Sequence, residues 1–191
     1  RGWHDDPETI NIIKQRATND EDNDVRSTAV QELARGWHDD PETINIIKQR
    51  ATSDDRWNVR SAAVQELARG WHDDPETIIF IKQRVTNDED NDVRSAAVQE
   101  LARGWHDDPE TIIFIKQRAT NDDRWNVKST AVQELACGWH DDPETIKFIK
   151  QRATSDDRWD VRSTAVQELK KWWGEEVEEN IEEYYRRNSK N

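Results

Sequence analysis

The sequence contains no methionine and only one cysteine, Cys137. A single thiol cannot close an intrachain disulfide, so a reducing compartment such as the cytoplasm is the expected setting. No apolar run approaches the roughly 20 residues that cross a bilayer, and no secretory signal opens the chain. Positive charge is scarce: 28 Lys and Arg face 41 Asp and Glu, for a net charge of −13 at pH 7. Such a surface repels a phosphate backbone, which argues against general nucleic-acid binding; without a spanning run, no membrane partner is expected either. Apolar residues make up 33% and charged residues 36% of the chain, a balance close to that of disordered proteins. The missing methionine extends to position 1, and the sequence opens in mid-repeat at Arg1-Gly2-Trp3. It therefore reads as part of a longer protein, whose upstream domains are expected partners.

Two things oppose disorder. There are ten tryptophans, each a large contributor of buried area. The apolar residues are also strictly periodic. The string Gly-Trp-His-Asp-Asp-Pro-Glu-Thr-Ile begins at Gly2, Gly36, Gly70, Gly104 and Gly138, always 34 residues apart. A second landmark begins at Val25, Val59, Val93, Val127 and Val161; it reads Val-Arg-Ser except at Val127, where it reads Val-Lys-Ser. A fixed period of this length is the mark of a repeat architecture.

Each unit predicts two helices. Asp6 caps the first, Pro7 occupies its first turn, where the missing N–H costs nothing, and Glu8 faces the positive end of the dipole. This helix spans about Pro7 to Thr18, with Ile10, Ile13 and Ala17 on one face. The second follows the acidic turn Asn19 to Asp24 and runs to about Trp37. Val25, Ala29, Val30, Leu33, Ala34 and Trp37 gather on one side of it, and Thr28, Gln31, Glu32 and Arg35 take the other. Neither helix can bury its stripe alone, but stacked neighbours can. The predicted fold is all-α: a right-handed α-solenoid of about five 34-residue helix–turn–helix repeats over 1–173, with units starting near 1, 35, 69, 103 and 137. A capping helix and tail are expected over 174–191, where Val177, Ile181 and Tyr184 form an apolar line among glutamates and arginines.

The run Asp24-Val25-Arg26-Ser27-Thr28-Ala29-Val30-Gln31-Glu32-Leu33-Ala34, followed by Asp40-Pro41-Glu42 and a second apolar helix, resembles a HEAT-like repeat of the short kind named after phycobilisome lyases. The tetratricopeptide repeat shares the period, but its small-residue landmarks fit poorly and its proline closes a helix pair instead of opening a helix. More narrowly, the copies resemble the tails of bacterial STAND-type NTPases of the NACHT class, arrays of which are common in filamentous cyanobacteria. That resemblance implies a C-terminal sensor that binds a ligand and releases an upstream NTPase. No Gly-x-x-x-x-Gly-Lys-Ser/Thr loop is present, so the NTPase itself is absent from these residues.

Arg26 falls in the middle of an apolar face, and a buried guanidinium needs partners. The acidic turns offer Asp20, Asp54, Asp88, Asp122 and Asp156. The HEAT resemblance implies an arginine–aspartate ladder between repeats, carried here by Arg26, Arg60, Arg94 and Arg162. Lys128 departs from it, since an ammonium cannot make the two-pronged bond. The histidines (His4, His38, His72, His106, His140) stand one per repeat, too far apart to share a metal, and are expected to face solvent near helix ends. No metal or cofactor is expected, and Cys137 is read as incidental.

Two surfaces are candidates for a protein or peptide ligand. In three turns Asp22 and Asn23 are replaced by Arg56 with Trp57, Arg124 with Trp125, and Arg158 with Trp159, which decorates one edge. On the proline helices the exposed position opposite the buried line reads Asn11, Asn45, Ile79, Ile113 and Lys147. The HEAT resemblance implies a concave surface for this strip. The near-identity of the copies argues against catalysis, which needs one asymmetric constellation. The leading expectation is a non-enzymatic binding scaffold; the alternatives are a bilin-lyase-like enzyme or accessory and an engineered consensus array without a natural ligand.

Overall fold

The computed structural model describes residues 6–174, and among them every regular element is an α-helix. The chain divides into two compact units, Arg1–Trp105 and His106–Asn191. The first contains α1 (Pro7–Asn19), α2 (Asn23–Gly36), α3 (Pro41–Ser53), α4 (Trp57–Gly70), α5 (Pro75–Asn87) and α6 (Asn91–Gly104). The second contains α7 (Pro109–Asn121), α8 (Trp125–Gly138), α9 (Pro143–Ser155) and α10 (Trp159–Trp173). The fold is thus all-α, of the helical-repeat class. The predicted capping segment lies outside the described residues except for Gly174, whose left-handed backbone (φ 65°) closes α10; Trp3 and His4 also lie outside.

Local chemistry sets the helix ends. Asp40 accepts the backbone N–H of Glu42 at 2.8 Å, Pro41 opens α3, and Glu42 sits in the first turn. Asp6, Asp74, Asp108 and Asp142 repeat this arrangement. Each odd-numbered helix stops at an aspartate in extended conformation, from Asp20 to Asp156. The even-numbered helices differ among themselves. Asp22 and Asp90 cap α2 and α6, each accepting an N–H at 2.8 Å. Arg56, Arg124 and Arg158 occupy that place in α4, α8 and α10 and make no capping bond.

Within each unit the core lies between the helices of a hairpin and between successive hairpins. Leu33, Leu67, Leu101, Leu135 and Leu169 of the even-numbered helices and Ile47, Ile81, Ile115 and Ile149 of the odd-numbered ones are all fully buried. Each such side chain contributes about 1.5–3 kcal/mol by leaving water. The buried line of an odd-numbered helix runs Thr43, Ile47, Ala51, while Ile44 is only half-buried. The line predicted through Ile10, Ile13 and Ala17 therefore holds at its second and third positions, and at its first the threonine before the isoleucine is the buried residue. The even-numbered helices are covered more broadly than one stripe. Thr28 is exposed on α2, whereas its equivalents Ala62 on α4 and Ala96 on α6 are buried, α4 having both α2 and α6 as neighbours. The short side chains there let α2, α4 and α6 lie side by side in the first unit, as α8 and α10 do in the second. The odd-numbered helices of each unit are more widely spaced.

Candidate functional site

Three sets of contacts link one repeat to the next, and they determine which residues remain free for recognition. The first is built on the arginines of the even-numbered helices. Arg26 donates from Nε and Nη2 to the two carboxylate oxygens of Asp54, at 2.9 and 2.8 Å, and from Nη1 to the backbone oxygen of Asp20 at 2.8 Å. Arg60 binds Asp88 through Nε and Nη2 and the backbone oxygen of Asp54 at 2.8 Å. One guanidinium thus ties its own turn to the next. Each of these aspartates also organises its turn: Asp54 accepts the N–H of Arg56 and Asp88 that of Asp90. Arg94 is buried in the first unit, and Asp122 is buried in the second, where it accepts the N–H of Arg124 at 3.0 Å. In the second unit Lys128 reaches Asp156 at 3.7 Å and Asp157 at 3.2 Å. Arg162 donates to the backbone oxygen of Asp156 at 2.7 Å. Asp20 pairs with Arg16 at 2.6 Å.

The rungs differ electrostatically. Burial pushes the Asp54 carboxyl up, but the bonds from Arg26 and from the N–H of Arg56 outweigh it, and the net direction is down. At Asp156 burial dominates, the neighbouring Asp157 adds to it, and Lys128 does not compensate, so its carboxyl is held above the usual range.

The second set runs along the odd-numbered helices. Lys14 meets Asp40 and Glu42, both at 2.7 Å; Lys48 meets Glu76 at 3.6 Å; and Lys116 meets Asp142 at 3.7 Å.

The third set was not foreseen from the sequence. The histidines do not simply face water. His38 stacks on Trp71 with ring centroids 4.4 Å apart, and its Nε2 lies 2.6 Å from the Gly70 carbonyl oxygen. His72 repeats this with Trp105 and Gly104. In the second unit His106 stacks on Trp139 at 4.6 Å and meets Gly138 at 2.6 Å. The tryptophans of this series are half-buried just beyond the helix ends. The signal in the sequence was the constant separation of each histidine from the following Gly-Trp pair, which becomes meaningful only once repeats are stacked.

What remains outside these contacts is the turn edge and the outward face of the odd-numbered helices. Trp57, Trp125 and Trp159 stand at the first positions of α4, α8 and α10 and are 49, 45 and 41% exposed. Asp55 and Asp123 lie near their neighbours Arg56 and Arg124, and Arg158 bonds Asp160 at 2.8 Å. Of the exposed carboxylates along the same turns, Asp55, Glu89 and Asp157 also meet the rung residues Arg26, Arg60 and Lys128, at 2.7, 3.6 and 3.2 Å. Ile79 and Ile113 are each 57% exposed; Asn11, Asn45 and Lys147 are exposed too, Lys147 pairing with Glu144 at 2.6 Å. The phenylalanines beside the strip are half-buried, with Arg84 over Phe80 at 5.5 Å and Arg118 over Phe114 at 5.3 Å. The strip projects from the more widely spaced helices of each unit. Ile79 belongs to the first unit and Ile113 to the second. Cys137 is an exposed free thiol. Among the described residues no three His, Cys, Asp or Glu side chains converge as metal ligands, and no helix is long and apolar enough to cross a membrane.

The model of the family described as HEAT repeats matches residues 10–102 and 80–170. No curated protein matches the chain in sequence. Among solved structures, the complex of CpcE and CpcF of phycocyanin lyase from Nostoc sp. PCC7120 is similar, with a TM-score of 0.60 at 15% identity over 86% of this chain and 99% of that one. At that identity the likeness is one of fold. With 34-residue helical hairpins joined by buried arginine–aspartate rungs, and a family match running through nearly all the described residues, the chain belongs to the HEAT-repeat family.

Proposed function

We propose that this chain is a non-catalytic scaffold that binds a protein or peptide ligand along its turn edge and the outward face of its odd-numbered helices. One observation carries the reading. Three even-numbered helices lack the capping aspartate that α2 and α6 keep, and each carries an exposed tryptophan at its first position. A missing cap costs about 1 kcal/mol, and an arginine there opposes the helix dipole. The repeat folds without these tryptophans, as Asn23 and Asn91 demonstrate in the other copies. A local rule broken this way, at side chains left 41–49% exposed, fits a surface kept for recognition. The strip positions follow the same logic: Ile79 and Ile113 stand exposed where Asn11, Asn45 and Lys147 serve the fold equally well.

The net charge of −13 favours a ligand segment bearing lysine or arginine, which the tryptophan faces would also accept by cation–π contact. The finer context is the ligand-sensing part of a larger STAND/NACHT-type signalling protein, supported by the resemblance of the Gly-Trp-His-Asp-Asp-Pro-Glu-Thr copies to such sensor tails. A bilin-lyase-like accessory role is the second reading, and the fold likeness to the phycocyanin lyase complex favours it. Selection of a random peptide library on the full chain tests the scaffold. The expected outcome is enrichment of lysine- or arginine-bearing peptides that is lost when Trp57, Trp125 and Trp159 are changed together to asparagine, with helical content unchanged. Enrichment indifferent to that change and to Ile79→Asn with Ile113→Asn would overturn it, and bilin transfer by the isolated chain would favour the lyase reading instead.

A further inference from the structure

The histidine–tryptophan contacts carry a chemical requirement beyond packing. At His38, Nε2 faces the Gly70 carbonyl at 2.6 Å and Nδ1 faces a carboxylate oxygen of Asp39 at 3.3 Å. At His106, Nε2 faces the Gly138 carbonyl at 2.6 Å and Nδ1 faces Asp107 at 3.1 Å. His72 holds the same relation to Gly104 and Asp73. A carbonyl and an ionised carboxylate can only accept. A neutral imidazole carries one N–H, so either tautomer leaves one nitrogen lone pair against an acceptor. Only the imidazolium, with two N–H groups, satisfies both.

The rest of the site suits a cation. The ring lies flat on tryptophan, with interplanar angles of 14, 19 and 10° at His38, His72 and His106. The carbonyl it meets belongs to the last residue of an even-numbered helix, the negative end of its dipole. The packing is close: a Cβ on Gly70, Gly104 or Gly138 would sit 3.4 Å from the imidazole Cδ2 of the facing histidine, at the near limit of van der Waals contact. The charge acting on each ring is its neighbouring aspartate, Asp39, Asp73 or Asp107. The even-numbered helix end packed against the ring contributes a carbonyl and an aromatic face.

We propose that His38, His72 and His106 are proton-operated clips, in which the imidazolium fastens one repeat to the helix end of the next and its deprotonation loosens that junction. Bonding to the glycine carbonyl, then to the aspartate, outweighs burial and moves all three histidines above their ordinary value of 6.5. For a base raised in this way, the stabilisation is complete below the ordinary value and is lost as pH rises through the raised one. The junctions are thus tight below pH 6.5 and relax as pH rises through the raised value.

The test uses the full chain. Imidazole nitrogen NMR, read across about pH 5 to about pH 9, should show the three rings titrating above 6.5 as doubly protonated donors. The thermal midpoint should fall over the same window, and His38→Gln, His72→Gln and His106→Gln together should abolish that fall, because glutamine can donate but does not titrate. A second variant, Asp39→Asn with Asp73→Asn and Asp107→Asn, leaves the histidines in place and should bring their titration down. Rings that titrate at or below the ordinary value, or a midpoint whose fall survives in the glutamine variant, would overturn the proposal.

Discussion

Arg26 in the first unit and Lys128 in the second occupy the same position of the repeat but hold different rungs. The guanidinium grips both oxygens of Asp54 within 2.9 Å and still reaches the backbone of its own turn. The ammonium stands 3.7 Å from Asp156 and draws nearer to the exposed Asp157. Both aspartates are equally buried, so the desolvation they suffer is alike and the donor's geometry decides the outcome. A planar fork offsets burial even though Arg26 also bonds the exposed Asp55 at 2.7 Å; a point charge held 3.7 Å from Asp156 does not. The carboxyl is accordingly held down in one case and up in the other.

The comparison breaks most severely if Arg26 loses its charge. Arg26→Met leaves Asp54 buried without its fork, and urea unfolding should show a loss of about 3–5 kcal/mol; a loss under about 1 kcal/mol would mean that Arg50, 3.4 Å away, is sufficient by itself. The reverse change sharpens it. Lys128→Arg should stabilise the chain by about 1–2 kcal/mol and bring the Asp156 carboxyl down, followed by carboxyl carbon NMR. The acid limb then changes shape. The Asp54 contribution is present above the ordinary value of 3.8 and lost as pH falls through its lowered one. The Asp156 contribution has the opposite sign, weakening the fold as pH rises from 3.8 through its raised value, and Lys128→Arg should remove that opposing slope.

Smaller effects are expected at the turn edge. Arg56→Asp restores a cap to α4 and should add somewhat under 1 kcal/mol, read as slower amide exchange at Asn58 and Val59. Ile79→Asn exchanges one exposed residue for the one found at Asn45, and its stability change should stay within about 0.5 kcal/mol. A larger loss there would show that the strip serves packing and not recognition.

The sequence made the repeat, the helix limits and the capping chemistry legible, because these depend on neighbours within a few residues. The proline helix was expected from Pro7 to Thr18 and runs from Pro7 to Asn19. The arginine–aspartate contacts could be anticipated because a guanidinium on an apolar face demands a carboxylate. On the odd-numbered helix the sequence points to the isoleucine and alanine that are buried as Ile47 and Ala51 but misses Thr43, which looks like a surface residue until its helix is docked. The histidine–tryptophan contacts were illegible for a deeper reason. They join residues 33 apart across a stacked interface, as at His38 and Trp71, and no wheel or local motif reports on that. The recognition surfaces stay least legible, because exposure alone does not name what meets it.

The rungs also determine how the protein's length can vary. From Arg26 to Asp54 and from Arg60 to Asp88 the separation is 28 residues in both cases, and each junction presents the same donor to the same acceptor. Excising a block such as 35–68 brings Arg26 into the sequence register that Arg60 had, with Asp88 as the group it meets. Duplicating a block inserts a junction already proven elsewhere in the chain. Growth and shrinkage in whole repeats therefore call for no newly invented interface, and a lineage can change its reach by recombination alone while every seam keeps its original fit.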